Sequence, residues 1–389
     1  MSFYRDYPHL VFRKQWDLSE HTAMILGQCV ALIKAINNTP ILPDYYKELM
    51  RVALIKGAQS TTAIEGNTLS ELEIEKIRQG EKLPPSKEYM EIEVQNIMAA
   101  FNEILKETVY EQKEQLITIE LLQRFHKMIG KNLGDHFNAV PGRFRENDVV
   151  VGTYRCPDHR DVIPLIKRYC EWLRTEFKFD SGNQPFHNII IQAIVAHVYL
   201  EWIHPFGDGN GRTGRLIEFY ILSRGGSPDI ALHILSNHYN ATRPEYYRQL
   251  EKAFEHRSLS GFMDYALLGF RDGLQQTLET IQASQLLLAW QKFVYDTFNA
   301  IDMKNREVFK RRRSLALSLP IDKKFTTGEI PTLSIPLAAA YSTISAKTLA
   351  RDLDELVTHK IIIKEDGLYF ANIQALNRMI AKRKGLILH

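Results

Sequence analysis

The sequence predicts a mainly α fold: a helical body carrying one β-hairpin, then a smaller basic piece of short helices and a strand pair. Three observations point there. Apolar residues recur at three-four spacing over most of the chain. Runs with strand character are few. The composition and the charge balance both shift near Lys304.

The 389 residues hold 49 Lys+Arg against 46 Asp+Glu, a formal charge of +3, so no single sign dominates the molecule. With 45% hydrophobic and 24% charged residues the composition is ordinary and globular, and at this length one core divides into two or three domains. Cys29, Cys156 and Cys170 lie far apart without metal-ligand spacing, so neither a disulfide framework nor a zinc finger is indicated and a reducing cytoplasm is the expected location. Residues 1–17 lack the charged start and apolar run of a signal peptide. The most apolar stretch, 187–202, reads as too short and polar to span a bilayer, so no membrane partner is expected.

In chain order, the spacing predicts helices over 22–36 and 45–64, the second closing on Ser60-Thr61-Thr62-Ala63-Ile64-Glu65-Gly66-Asn67 with Gly66 as its C-cap. Thr61 and Glu65 are four apart and share a face, and taken alone Glu65 reads as a solvated helix-end carboxylate. Ser70 and Glu73 form a capping box for the next helix. Helices follow over 87–107 and 119–129. Pro141-Gly142-Arg143-Phe144-Arg145 and the β-branched run from Asp148 to Tyr154 then predict one hairpin across 142–154. After a helix over 163–177, the segment 187–202 is apolar on nearly every face and belongs in the middle of a bundle. It stops where Pro205 disfavours helix at His204. The twelve residues His204-Pro-Phe-Gly-Asp-Gly-Asn-Gly-Arg-Thr-Gly-Arg215 come next, helix resumes over 216–222, and a long helical pattern covers 265–298.

That glycine-rich loop lies at a helix start, where unpaired N–H groups and the macrodipole favour anions. Gly207, Gly209, Gly211 and Gly214 permit close approach of backbone to a phosphate and positive φ, and Arg212 and Arg215 supply fork-shaped charge. Asp208 is the hard oxygen ligand that Mg²⁺ recruits beside phosphates. His204 has the pKa class of a base near neutral pH. Gly209 to Gly214 also matches GxGxxG, but a dinucleotide fingerprint follows a strand and here a long apolar helix precedes it. A P-loop needs Gly-Lys followed by Ser or Thr, which is absent.

The same twelve residues resemble the HPFx[DE]GNGRxxR signature of Fic-domain proteins, whose fold is a helical bundle and which typically move AMP from ATP to a target hydroxyl. Lysine usual at Gly211 in the phosphotransferase branch is missing, so the resemblance implies a protein adenylyltransferase. It implies His204 as the base, Asp208 as the Mg²⁺ ligand, and Gly209, Asn210 and Gly211 as the cradle of the α- and β-phosphates. Arg212 and Arg215, with Thr213 and Gly214 between them, would serve the β- and γ-phosphates, and Phe206 would fix the loop from inside. The hairpin resembles the family's flap, on whose edge a target protein docks, with Val151, Gly152, Thr153 and Tyr154 beside the nucleotide. Arg243-Pro-Glu-Tyr-Tyr247 resembles the adenine-pocket segment, with Tyr246 the stacking residue, while Phe254 replaces an asparagine found near the ribose in some relatives. Thr61, Glu65 and Gly66 fit the family's inhibitory motif [ST]xxxE[GN], whose glutamate would reach Arg215 and take the place of a productive γ-phosphate; in some relatives it also positions water for AMP removal.

From 304 to 389 there are 16 Lys/Arg and 8 Asp/Glu, a charge of +8 that leaves the rest near −5. The stretch 306–380 resembles a winged helix-turn-helix: a helix over 335–341, a turn at 342–344, Ser345 capping a helix over 346–358 with Leu349, Leu353 and Leu356 inward, and a wing from 360–364 and 368–370. Lys347, Thr348 and Arg351 would face DNA, but such modules also dock proteins, and Asp352, Asp354 and Glu355 share the helix. The domain division is thus 1–110 (helical, with the inhibitory motif), 111–260 (Fic core), 261–303 (linking helices) and 304–389 (winged helix-turn-helix). A transcription regulator whose core only senses nucleotide is the competing class, and the oligomer stays open, a homodimer included.

Overall fold

The computed structural model describes residues 7–113, 116–177, 185–301 and 306–376. The chain divides at Glu279 and Thr280 into two compact units, and the division falls inside one long helix.

The first unit is built almost wholly of helices. α1 (Glu20–Asn37) starts where the Ser19 hydroxyl accepts the Thr22 N–H at 3.1 Å. α2 (Pro43–Ala63) begins with proline in its first turn. Its C-cap is Ile64, two residues before the expected Gly66, although Gly66 does take the left-handed φ of 105°. α3 (Glu71–Arg78) carries the Ser70–Glu73 capping box as expected. α4 (Glu88–Leu105) widens into a π-turn over Lys106–Tyr110, and α5 (Ile119–Ile129) is capped by Thr118. The hairpin is far shorter than the expected 142–154: β1 (Val150–Val151) pairs antiparallel with β2 (Tyr154–Arg155), while 142–149 is irregular. α6 (Val162–Phe177) follows.

α7 (Phe186–Ile203) is the centre of the bundle, with 14 buried residues, and packs against α1, α6 and α8 (Asn210–Arg224). Contrary to expectation it is long and apolar enough for a membrane span by length and composition; 78% of it is buried within the protein, which accounts for its all-round apolarity. α2 packs against α4 and α9 (Ile234–Ala241), α10 (Arg243–His256) against α9, and α11 (Ser260–Asn299) begins next.

The second unit has its own core, drawn from Trp290, Val294 and Phe298 of α11, Leu315 and Leu319 around the end of α12 (Arg306–Ser318), and Leu337 of α13 (Ile335–Tyr341). Leu349, Leu353 and Leu356 of α14 (Ala346–Thr358) complete it, facing inward as their spacing predicted. β3 (Ile362–Glu365) and β4 (Leu368–Ala371) form an antiparallel pair turning on Asp366 and Gly367, both at positive φ. Ser345 stands at the N-cap of α14, but its hydroxyl meets the Thr348 hydroxyl at 3.1 Å instead of a backbone N–H. Residues 302–305 of the predicted linking and tail segments, and 377–389, lie outside the described residues.

Candidate functional site

α7 ends at His204, whose backbone is left-handed (φ 48°, ψ 60°), a conformation that strains a non-glycine residue. Its N–H donates to Leu200 O at 2.9 Å, and its carbonyl accepts from Arg145 Nε at 2.7 Å. Arg145 also donates to the carbonyls of Asn147 and Pro157, so one buried guanidinium gathers three carbonyl groups beneath the site. The His204 ring places Nδ1 3.3 Å from the Glu201 carbonyl, so Nδ1 bears the proton and Nε2 the lone pair. Burial pulls its pKa down to about 4, and the ring is neutral and able to accept a proton near pH 7.

Helix resumes earlier than the sequence suggested. Gly209 (φ 74°) is the only one of the four loop glycines at positive φ, and α8 already begins at Asn210. Gly211 and Gly214 are therefore helical and serve close packing instead: an added Cβ would run into Glu65 Oε1 at Gly211 and meet His197 Nδ1 at 2.7 Å at Gly214. The Asn210 side chain is consumed in bracing the loop, accepting from Phe206 N and donating to Phe206 O, both at 2.9 Å, which leaves only its backbone N–H for a ligand. Thr213 is likewise buried, with its hydroxyl on Gly209 O at 2.8 Å. Phe206 points inward as expected, stacked on His126 at 3.8 Å; His126 accepts the Gly142 N–H and donates to Asp208 O.

The two arginines are both engaged by protein carboxylates. Arg212 binds Glu93 and, at 2.8 Å, Asp208. Arg215 is 1% exposed and donates through Nη2 to Glu65 Oε1 at 2.6 Å and to the Thr61 carbonyl at 2.9 Å. Burial works against charge on Glu65, but the field of Arg215 and Arg212 outweighs it and holds the carboxyl below its usual range. Asp208 also accepts from the backbone N–H groups of Gly209 and Asn138, and its side chain keeps 30% exposure. A part-exposed carboxylate at a helix start is a donor suited to Mg²⁺, which otherwise keeps water and phosphate oxygens. Asp148, Asp158 and His159 also bring ligand atoms within 4.8 Å of one another, but Arg160 holds both oxygens of Asp158.

A cavity of about 720 Å³ opens beside His204, walled by the flap residues Val151, Gly152, Thr153 and Tyr154 on one side and by α10 on the other. Tyr246, the expected stacking residue, is 2% exposed with its hydroxyl on His197 Nε2 at 2.8 Å, whereas its neighbour Tyr247 lines the cavity. Phe254 is also in the wall, edge-on to Tyr154 at 4.7 Å. Residues 209–215 and Glu65 are not part of this lining, so the phosphate-loop residues and the flap residues form two groups with His204 between them in sequence. Sequence reasoning missed Glu93, Arg145, Glu201 and Tyr247.

These features coincide with a family match. Residues 116–222 match the Fic/DOC family. Among curated relatives, the protein adenylyltransferase fic-1 of Caenorhabditis elegans is 30% identical over 207 residues, covering 53% of this chain and 38% of that protein. The protein adenylyltransferase Fic of Nematostella vectensis is 29% identical over 209 residues, covering 53% of this chain and 45% of that one. The chain thus spans well under two thirds of the length of these relatives. Among solved structures, Fic-1 of C. elegans superposes with a TM-score of 0.56 at 25% identity over 68% of this chain and 74% of its own. A Fic family protein from Desulfovibrio desulfuricans gives 0.56 at 18% identity over 92% of this chain and 98% of its own, a likeness of fold.

Proposed function

We propose that the protein is an autoinhibited protein adenylyltransferase that moves AMP from ATP to a Ser, Thr or Tyr hydroxyl of a target protein. The observation that carries the reading is His204, a neutral imidazole fixed as its Nδ1–H tautomer at a cavity wall, six residues before α8 begins. Nε2 takes the proton of the target hydroxyl, whose oxygen bonds to the α-phosphorus. The bond from that phosphorus to the bridging oxygen breaks, and pyrophosphate leaves. The N–H groups at the start of α8, with Arg212 and Arg215, stabilise the charge that moves toward the leaving group. Mg²⁺ held by Asp208 would neutralise polyphosphate charge. The exposed edge at Val150 and Val151 suits addition of a strand from the target.

Glu65 supports autoinhibition because it already occupies the guanidinium of Arg215, and ATP must displace it to pair its γ-phosphate there. Three free thiols, at Cys29, Cys156 and Cys170, agree with a reducing cytoplasm. The test incubates wild type, Glu65→Gly and His204→Ala with ATP, Mg²⁺ and cell lysate and reads intact mass. AMP adducts should rise in Glu65→Gly and vanish in His204→Ala; no adduct on the protein or on any lysate protein sinks the reading. If net AMP removal predominates, Glu65→Gly instead abolishes release from a modified target.

One observation favours the second reading, a DNA-binding regulator with a winged-helix second unit: Lys347 and Arg351 are exposed on α14, while Asp352 is turned inward. A specific DNA complex formed equally well by His204→Ala, without adducts, selects it.

A further inference from the structure

Glu201 stands on the last turn of α7, three residues before His204, and lines the same cavity. It meets the histidine twice. Its carbonyl faces Nδ1 at 3.3 Å, and its carboxylate Oε2 lies 4.0 Å from the same nitrogen. Its other carboxylate oxygen, Oε1, is buried without a hydrogen-bond partner. A carboxylate kept in such a place costs stability, so its presence calls for an explanation other than packing.

We propose that Glu201 is a positioning residue for His204: its ionised carboxylate, facing Nδ1, stabilises the imidazolium that forms when Nε2 accepts the proton of the target hydroxyl. This rests on the adenylyl-transfer reading. The O–H bond of the target breaks, an Nε2–H bond forms, Nδ1 keeps its proton, and the new positive charge lies opposite the carboxylate. At about 4 Å in a site shielded from water, that attraction is well above its value in bulk solvent.

The groups acting on Glu201 come from every side. Glu65 lies in the turn just past α2, Arg215 and Glu218 come from α8 and Tyr246 from α10; Cys156 follows β2, His204 ends its own helix, and His197 on that helix faces Gly214 together with Glu201 Oε1. Burial, joined by Glu65, raises the Glu201 carboxyl to about 7 against the pull of Arg215. Glu201 is therefore charged on the alkaline side of neutrality and protonated on the acid side. In Glu65→Gly the transition moves to lower pH, because one of the groups holding it up is gone.

Two measurements test this. The first needs no turnover: ¹⁵N-histidine spectra of the full chain, titrated from pH 5.5 to 8.5, with His204 assigned by its loss in His204→Ala. In wild type the His204 ring nitrogens should shift near pH 7 while remaining neutral, and Glu201→Gln should abolish that transition. No transition in wild type, or the same one in Glu201→Gln, overturns the proposal whether or not AMP transfer is found. The second is kinetic, in the Glu65→Gly background. Glu201→Gln should lower kcat about tenfold, a part of the roughly 10²–10⁴ that a positioned acid or base contributes. It should leave KM for ATP unchanged and flatten the rise of kcat with pH, and Glu201→Asp should restore part of kcat. An unchanged kcat, or a loss confined to KM, overturns the role.

Discussion

At Gly214 two effects of one methyl group oppose each other. Alanine is the better helix former by about 1 kcal/mol. Against that, its Cβ would stand 2.7 Å from His197 Nδ1, on a ring with no exposure whose other nitrogen bonds Tyr246. The ring cannot yield without breaking that bond, and overpacking of this kind costs roughly 1–3 kcal/mol. Gly214→Ala should therefore lower stability by up to about 2 kcal/mol net, the overpacking cost less the helix-propensity gain. Gly27, inside α1 with nothing within 4 Å of an added Cβ, is the internal control. Gly27→Ala should raise stability by about 0.5–1 kcal/mol. Urea titrations of both variants check the pair, and Gly214→Ala matching Gly27→Ala would show that the ring does yield.

At the scale of elements, α12 and α14 are joined through one carboxylate. Asp352, 1% exposed, accepts from Arg311 Nε at 2.8 Å, Arg312 Nε at 2.7 Å and the Tyr341 hydroxyl at 3.0 Å. Two of the basic residues that give this part of the chain its charge are thus spent on internal pairing. Burial alone would raise the Asp352 carboxyl, but the bonds from Arg311, Arg312 and Tyr341 outweigh it and hold it below its usual value. A depressed acid stabilises the fold above its unfolded pKa of about 3.9 and loses that contribution as pH falls through the lower folded value. Asp352→Ala, which takes the carboxylate from Arg311 and leaves Arg312 only Glu355 at 3.4 Å, should cost about 3 kcal/mol at pH 7. Asp354→Ala on the exposed face should stay within about 0.5 kcal/mol. Thermal melts of the two variants decide it; equal melts would show the cluster to be dispensable. The helices of both units were legible because their periodicity is local, and the His204 to Arg215 loop because proline, glycine and charge stand together. What was hidden depends on phase or distance. Tyr246 and Tyr247 differ by about 100° around α10, and only the packed helix shows which one meets the cavity. Glu93 and Glu201 sit in helices whose apolar neighbours mask them. The flap shrank because Arg145 gathers the carbonyls of Asn147, Pro157 and His204 in place of strand pairing.

For the whole molecule, the dominant electrostatic feature is a set of imidazoles kept neutral inside the first unit. Burial lowers His9, His126, His204 and His233 to about 4 and His197 to about 3, and it lowers His238 as well. A depressed histidine binds its proton in the unfolded chain near pH 6.5 but in the folded chain only near 4, so between those values unfolding takes up protons and acid favours the unfolded state. Three buried carboxyls act in the opposite sense. Glu201, at about 7, Glu218 and Glu93 are raised chiefly by burial, so in part of the same window the folded state holds protons that the unfolded chain has released. Six imidazoles against three carboxyls leave the imidazoles in control of the sign. Stability should fall as pH is lowered from about 6.5 toward 4.5, by less than the roughly 1.4 kcal/mol per pH unit per proton that the histidines alone would give. Urea midpoints at half-unit steps from pH 4.5 to 7.5 measure the slope. Replacing the surface-shielded His233 by glutamine should flatten it. A midpoint constant or rising toward acid would mean that the buried carboxyls outweigh the histidines, with Glu201 and Glu218 storing more protons in the folded state than their surroundings imply.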